Sequence, residues 1–135
     1  MTLPKIAVTM GDPAGVGPEV CLRLLQDEAI ARLCTPIVFG SAAVLEQAAV
    51  QYCLAKPGKV VAGLSEADSP CVLDIGAIGL DDFTTGAVNA STGRAAFTYI
   101  EDAINAALSG QIAAVTTAAP ARLLLLDAAH LRAHP

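Results

Sequence analysis

The residues of this chain best placed for chemistry are Gly11-Asp12-Pro13-Ala14-Gly15-Val16-Gly17-Pro18-Glu19. They follow the apolar run Ile6-Ala7-Val8-Thr9-Met10 and lead into a helical pattern beginning near Pro18, which reads as strand, glycine-rich turn, helix start. Glycines permit positive φ and close approach of a ligand to the main chain. The first turn of a helix offers unpaired N–H groups and a partial positive charge, a seat for phosphate or carboxylate. Pro18 suits the first helical position, because its missing N–H would have no partner there. Gly11, Asp12, Gly15, Gly17 and Glu19 are therefore candidates for contact with substrate or cofactor.

The spacing excludes two common nucleotide sites. A dinucleotide fingerprint reads G-x-G-x-x-G and a Walker loop G-x-x-x-x-G-K-[ST], whereas this segment reads G-x-x-x-G-x-G with no following lysine. Asp12 and Glu19 oppose simple phosphate binding, since carboxylates repel anions unless a cation intervenes. Asp12 has a second reading, as a turn former bonded to its own backbone. A glycine-rich turn between strand and helix is equally often a plain connector.

A second candidate is Thr116-Thr117, at the end of the apolar run Ile112-Ala113-Ala114-Val115. Hydroxyls there suit a polar ligand, and threonine is also an ordinary strand residue. His130 and His134 stand four apart, a spacing that lets two histidines share a helix face. They sit beside Pro135 at the chain end, where fraying is the simpler expectation. Neither is assigned as a metal ligand, and no residue is assigned as catalytic.

The elements that must position these groups alternate. Residues 5–10 read as a buried strand, and a helix from about Pro18 to Leu33 buries Val20, Cys21, Leu24, Leu25 and Ala29. Pro36–Gly40 is a second strand, and Ser41 caps a helix to about Tyr52 that turns Val44, Leu45 and Ala48 inward. Val60-Val61 and Cys71–Asp74 are short strands, and residues 84–90 form a loop. A long helix from Ser91 places Ala95, Ala96, Tyr99, Ile100, Ala103, Ile104, Ala107 and Leu108 on one face and ends at Gly110 as its C′ residue. Residues 112–116 form another buried strand. Such alternation implies a parallel α/β sheet with right-handed crossovers, in which ligands sit beyond the carboxyl ends of the strands.

Composition narrows the partners. The chain has 54% hydrophobic and 16% charged residues, with 4% aromatic, so an aliphatic core and apolar surface left for a partner are expected. A net charge of −5 argues against nucleic acid. No apolar run approaches the ~20 residues of a membrane span, and residues 1–5 lack signal-peptide character, which together predict a cytoplasmic protein without a membrane partner. Cys21, Cys34, Cys53 and Cys71 contain no C-x-x-C pair and read as buried free thiols.

Two motifs in order are more specific than either alone. Val8-Thr9-Met10-Gly11-Asp12-Pro13-Ala14-Gly15-Val16-Gly17-Pro18-Glu19, and Ser91-Thr92-Gly93-Arg94-Ala95-Ala96 heading a helix that ends Leu108-Ser109-Gly110-Gln111 before Ile112–Thr117, resemble the 4-hydroxythreonine-4-phosphate dehydrogenases. The resemblance covers about residues 4–118. It implies an α/β/α sandwich like that of isopropylmalate dehydrogenase, here incomplete, and a homodimer. It also implies NAD- or NADP-dependent oxidation of a phosphorylated hydroxy-amino acid, with decarboxylation, in vitamin B6 synthesis. A divalent metal held by histidines would act as Lewis acid. A sister group that oxidises phosphorylated threonate-type sugar acids shares these motifs, and a non-catalytic remnant that binds an anion or a partner subunit is the other reading.

The match stops after Thr117. The family continues with threonine, a small residue, proline, two variable residues and lysine, then a Gly-His-Thr-Glu motif. This chain instead reads Ala118-Ala119-Pro120-Ala121-Arg122 and a leucine- and alanine-rich tail. Arg122 is no equivalent of the lysine, because its planar fork binds differently. The expectation is an N-terminal α/β portion over 1–118 and a divergent tail over 119–135, from a shifted frame or truncated gene. The metal ligands are absent from this chain, and it is expected to be inactive alone.

Overall fold

A computed structural model of the chain describes residues 2–76 and 90–118. Its strands are β1 (Lys5–Thr9), β2 (Thr35–Gly40), β3 (Val60–Val61), β4 (Cys71–Asp74) and β5 (Ala114–Thr117); its helices are α1 (Gly17–Leu25), α2 (Glu28–Leu33), α3 (Ala42–Gln51) and α4 (Ala90–Leu108). The strands form one sheet in the order β3-β4-β2-β1-β5, every neighbouring pair parallel. This is the α/β architecture that the alternation predicts.

The winding reverses once. From β1 the chain moves outward through β2 to the edge strand β3, steps back as β4 between them, and after α4 crosses to the far side of β1 as β5. Right-handed crossovers in opposite directions put the connecting helices on opposite faces of the sheet. Accordingly α1 packs against α3, while α4 packs across β1, β2 and β5. The core between these layers is aliphatic, with Ile37, Val38, Leu45 and Val72 fully buried beside Phe39 and Tyr99.

The first helix differs from expectation. Instead of running from Pro18 to Leu33 it stops at Leu25, and α2 restarts at Glu28. The cause is Asp27, whose carboxylate accepts from the amides of Ala29 and Ile30 at 2.9 and 3.2 Å. A short acidic side chain that bonds nearby amides offers the backbone an alternative to a continuous helix. The restart changes the buried face: Cys21 and Leu22 are buried, Leu24 and Leu25 pack against the core, and Val20 and Ala29 are exposed.

The other elements follow the sequence more closely. Ser41 caps α3 by accepting from the Val44 amide at 3.3 Å, and Val44, Leu45 and Ala48 are buried. α4 ends with Gly110 at φ +80, the Gln111 amide donating to Ala106 O at 2.9 Å and the Gly110 amide to Ala107 O at 3.1 Å. The buried stripe of α4 is Ala95, Ala96, Tyr99, Ala103 and Ala106, whereas Ile104 and Leu108 are exposed. The sequence predicts a buried β5, yet Ala114, Thr116 and Thr117 are exposed, because the strand lies at the edge of the described sheet. Of the cysteines, Cys21 and Cys71 are buried, Cys34 is half-buried and Cys53 is exposed, so only two match the buried reading. The loop expected over 84–90 lies outside the described residues, apart from Ala90, which opens α4.

Candidate functional site

β1 and β5 are neighbours served by crossover helices on opposite faces of the sheet, and both predicted groups stand at their carboxyl ends. The glycine loop leaves the carboxyl end of β1, and Thr116-Thr117 forms the carboxyl end of β5. Thr9 is in register with Thr117, so their side chains project from the same face, and the Ala118 amide donates to Thr9 O at 2.9 Å. In open α/β sheets this crevice is where ligands bind.

The loop is held by close main-chain packing. Gly11 has φ +77, in the left-handed region that side-chain-bearing residues avoid. Gly15 and Gly17 do not share that conformation; Gly17 serves a different need. A Cβ built there would lie 1.8 Å from Met10 O and 3.6 Å from Ala118 Cβ, so the start of α1 presses on the end of β1 beside the end of β5. Pro18 is the second residue of α1, one place further in than expected, and no side chain caps the helix start at Val16.

Asp12 closes the turn. Its Oδ1 accepts from the Ala14 amide at 2.8 Å, and the Gly15 amide donates to Asp12 O at 3.0 Å. The residue is only 2% exposed, and its Oδ2 is buried with no hydrogen-bond partner among the described residues. Glu19 does not join it, because its carboxylate accepts from Arg23 one helical turn on at 3.1 Å. Gly15 is exposed at the tip of the loop.

Two further buried oxygens have no hydrogen-bond partner among the described residues: Thr9 Oγ1 and the Tyr99 hydroxyl. Burial pushes the Tyr99 phenol well above its ordinary range, and the Asp74 carboxylate adds to the rise. Asp74 ends β4, and its Oδ1 caps α3 by accepting from the Ala42 amide at 3.0 Å. Native chains leave few buried polar atoms unpaired. Thr9 and Asp12 stand at the carboxyl end of the sheet, and Tyr99 feels the charge of a residue at that same end. Sequence reading took Tyr99 as core and Thr9 as strand, and nothing in their spacing distinguishes an unsatisfied hydroxyl from a satisfied one.

Asp12 contributes a buried carboxylate and Thr116 and Thr117 contribute exposed hydroxyls, a set that does not suit a bare phosphate. Among the described residues no three His, Cys, Asp or Glu side chains converge to hold a metal ion, so the described residues do not fit that group. His130, His134 and Arg122 lie outside the described residues. No helix among the described residues is long and apolar enough to cross a membrane.

Comparison with known proteins fixes the ancestry. Residues 32–133 match the family described as "Pyridoxal phosphate biosynthetic protein PdxA". The chain belongs to the PdxA family. The match extends into the stretch 119–135 that the sequence sets apart. The chain is 34% identical over 130 residues to the 4-hydroxythreonine-4-phosphate dehydrogenase of Synechocystis sp., a match spanning 96% of this chain and 36% of the relative. It is 32% identical over 124 residues to a Clostridium botulinum protein named "Putative D-threonate 4-phosphate dehydrogenase", covering 84% of this chain and 35% of the relative. The crystal structure of a 4-hydroxythreonine-4-phosphate dehydrogenase from Burkholderia phymatum superposes with a TM-score of 0.81 at 35% identity, covering 93% of this chain and 39% of the other. This PdxA-family chain thus spans a little over a third of the length of the curated relatives it matches.

Proposed function

We propose that this chain supplies the N-terminal portion, residues 1–118, of a PdxA-type dehydrogenase that oxidises 4-phosphooxy-threonine with NAD or NADP. Decarboxylation follows, within pyridoxal phosphate synthesis in the cytoplasm. The observation that carries the reading is the meeting of the glycine loop with the end of β5 at the crevice beside β1, in a chain of this family. The Gly11–Gly17 main chain would approach the substrate or cofactor closely, Asp12 would accept from a hydroxyl or ammonium donor, and Thr116 and Thr117 would bond its polar groups. The relatives bear both substrate names at 34% and 32% identity, so a phosphorylated threonate-type acid is the second reading.

The divalent metal that the family implies has no ligand assigned among the described residues, and none of them is assigned to remove the alcohol proton. The homodimer belongs to the same proposal, as does a tail over 119–135 that adds no catalytic group. Negligible turnover is therefore expected of the 135-residue chain by itself. The test is formation of reduced nicotinamide from 4-phosphooxy-threonine, NAD or NADP and a divalent metal; turnover at about 1 per second or faster, within the ordinary enzyme range, would refute it.

A further inference from the structure

Resting on the reading of the glycine loop as main chain that meets the ligand, we infer that Gly40 is a positioning residue for that loop, acting through Met10. Gly40 ends β2 and does not share the positive φ of Gly11, so what its missing side chain supplies is room. A Cβ built there would lie 2.8 Å from Met10 Cβ, 2.9 Å from Met10 Sδ and 3.3 Å from Met10 Cγ. Met10 is fully buried, and it is the residue from which the loop departs.

A side chain at position 40 would have to displace one of the two residues. Gly40 is the fixed one. Its carbonyl accepts from the Ile75 amide at 2.7 Å, it stands in register with Asp74 of β4, and the carbonyl of Phe39 before it accepts from the Met10 amide at 2.9 Å. Met10 must therefore give way, in an interior too densely packed to absorb the shift locally. Its carbonyl oxygen already presses on the Gly17 main chain, so a displaced Met10 pushes on the start of α1 and on Gly11 together. Two glycines from separate elements thus clasp one methionine, and the methionine sets both ends of the segment 11–17. A misplacement of about 1 Å in a site can cost about a hundredfold in rate, so a residue that touches no ligand still matters there.

The readout is the loop itself, so a wrong substrate assignment leaves the test intact. In the 135-residue chain, Gly40→Ala should displace the amide NMR signals of Gly11, Gly15 and Gly17 and speed their hydrogen exchange about threefold or more. Ala103→Val overpacks a fully buried position of α4 on the way to the amino end of β5. It should leave those signals and rates in place even where it lowers stability as much. Adding Met10→Ala to Gly40→Ala should return the loop signals toward their parent values, because it takes Sδ and Cγ out of the contact. Should Gly40→Ala fail to fold by itself, recovery of a folded chain on adding Met10→Ala is the expected result. Unmoved loop signals in a folded Gly40→Ala chain overturn the inference, as do equal displacement in Ala103→Val or no recovery on adding Met10→Ala.

Discussion

Gly17 and Met10 touch main chain to main chain: a Cβ on Gly17 would fall 1.8 Å from the Met10 carbonyl oxygen. No rotamer change relieves a clash with backbone, so the start of α1 and the end of β1 can meet only through glycine. We predict that Gly17→Ala destabilises the chain by roughly 2–3 kcal/mol, in the upper range of overpacking substitutions. Urea unfolding measures it; a loss below about 0.5 kcal/mol would show that the contact is relieved cheaply.

The Tyr99 hydroxyl is buried without a hydrogen-bond partner among the described residues. Removing an unsatisfied buried polar group removes its desolvation cost. Tyr99→Phe is therefore expected to raise stability, by about 1 kcal/mol, where the same change at a satisfied tyrosine lowers it. Thermal unfolding of both chains at pH 7 decides the sign.

Cys53 carries φ +55 as the C′ residue of α3, with the Leu54 amide donating to Ala49 O at 2.9 Å. Glycine is the residue that this cap favours. Cys53→Gly should stabilise the chain by about 0.5–1 kcal/mol. In the parent chain Cys53 should also react first with a thiol reagent at pH 8, whereas Cys21 and Cys71 should react only after unfolding. Mass spectrometry of partly labelled chains gives the order.

Burial pushes the Cys21 thiol from its ordinary 9.0 up to about 12. The folded state therefore resists ionisation that the unfolded chain undergoes. The associated stability is complete below about pH 9 and is lost as pH rises from there toward 12. Denaturation at pH 8 and pH 11 should show a loss at the higher pH of up to about 3 kcal/mol from this thiol. Cys21→Ala should lose less over the same interval; an equal loss would place the alkaline sensitivity elsewhere.

What the sequence revealed depended on how local the determinant was. Ser41 and Gly110 end or begin helices through bonds within a few residues, and both act as their spacing predicts. The break at Asp27 is equally local, but the apolar pattern across it reads as continuous, and the competing Asp27–Ala29 bond carries no periodicity. Burial of β5 was misread because a run of apolar residues does not reveal whether a strand is central or at an edge. At the site, the glycine loop could be located from its residues. The role of Gly17 and the unpaired atoms of Thr9, Asp12 and Tyr99 depend on contacts between distant segments.

The pairing of β1 with β5 joins Ile6 to Ala114, partners roughly a hundred residues apart. Closing so long a loop costs entropy before any ladder bond forms, and such topologies fold slowly. During synthesis β1 can recruit β2 early, but its other side must wait until nearly all of the described chain has been made. Among the described strands, the edge that completes the candidate crevice is thus the last to be laid down, and until then β1 has one unpaired side.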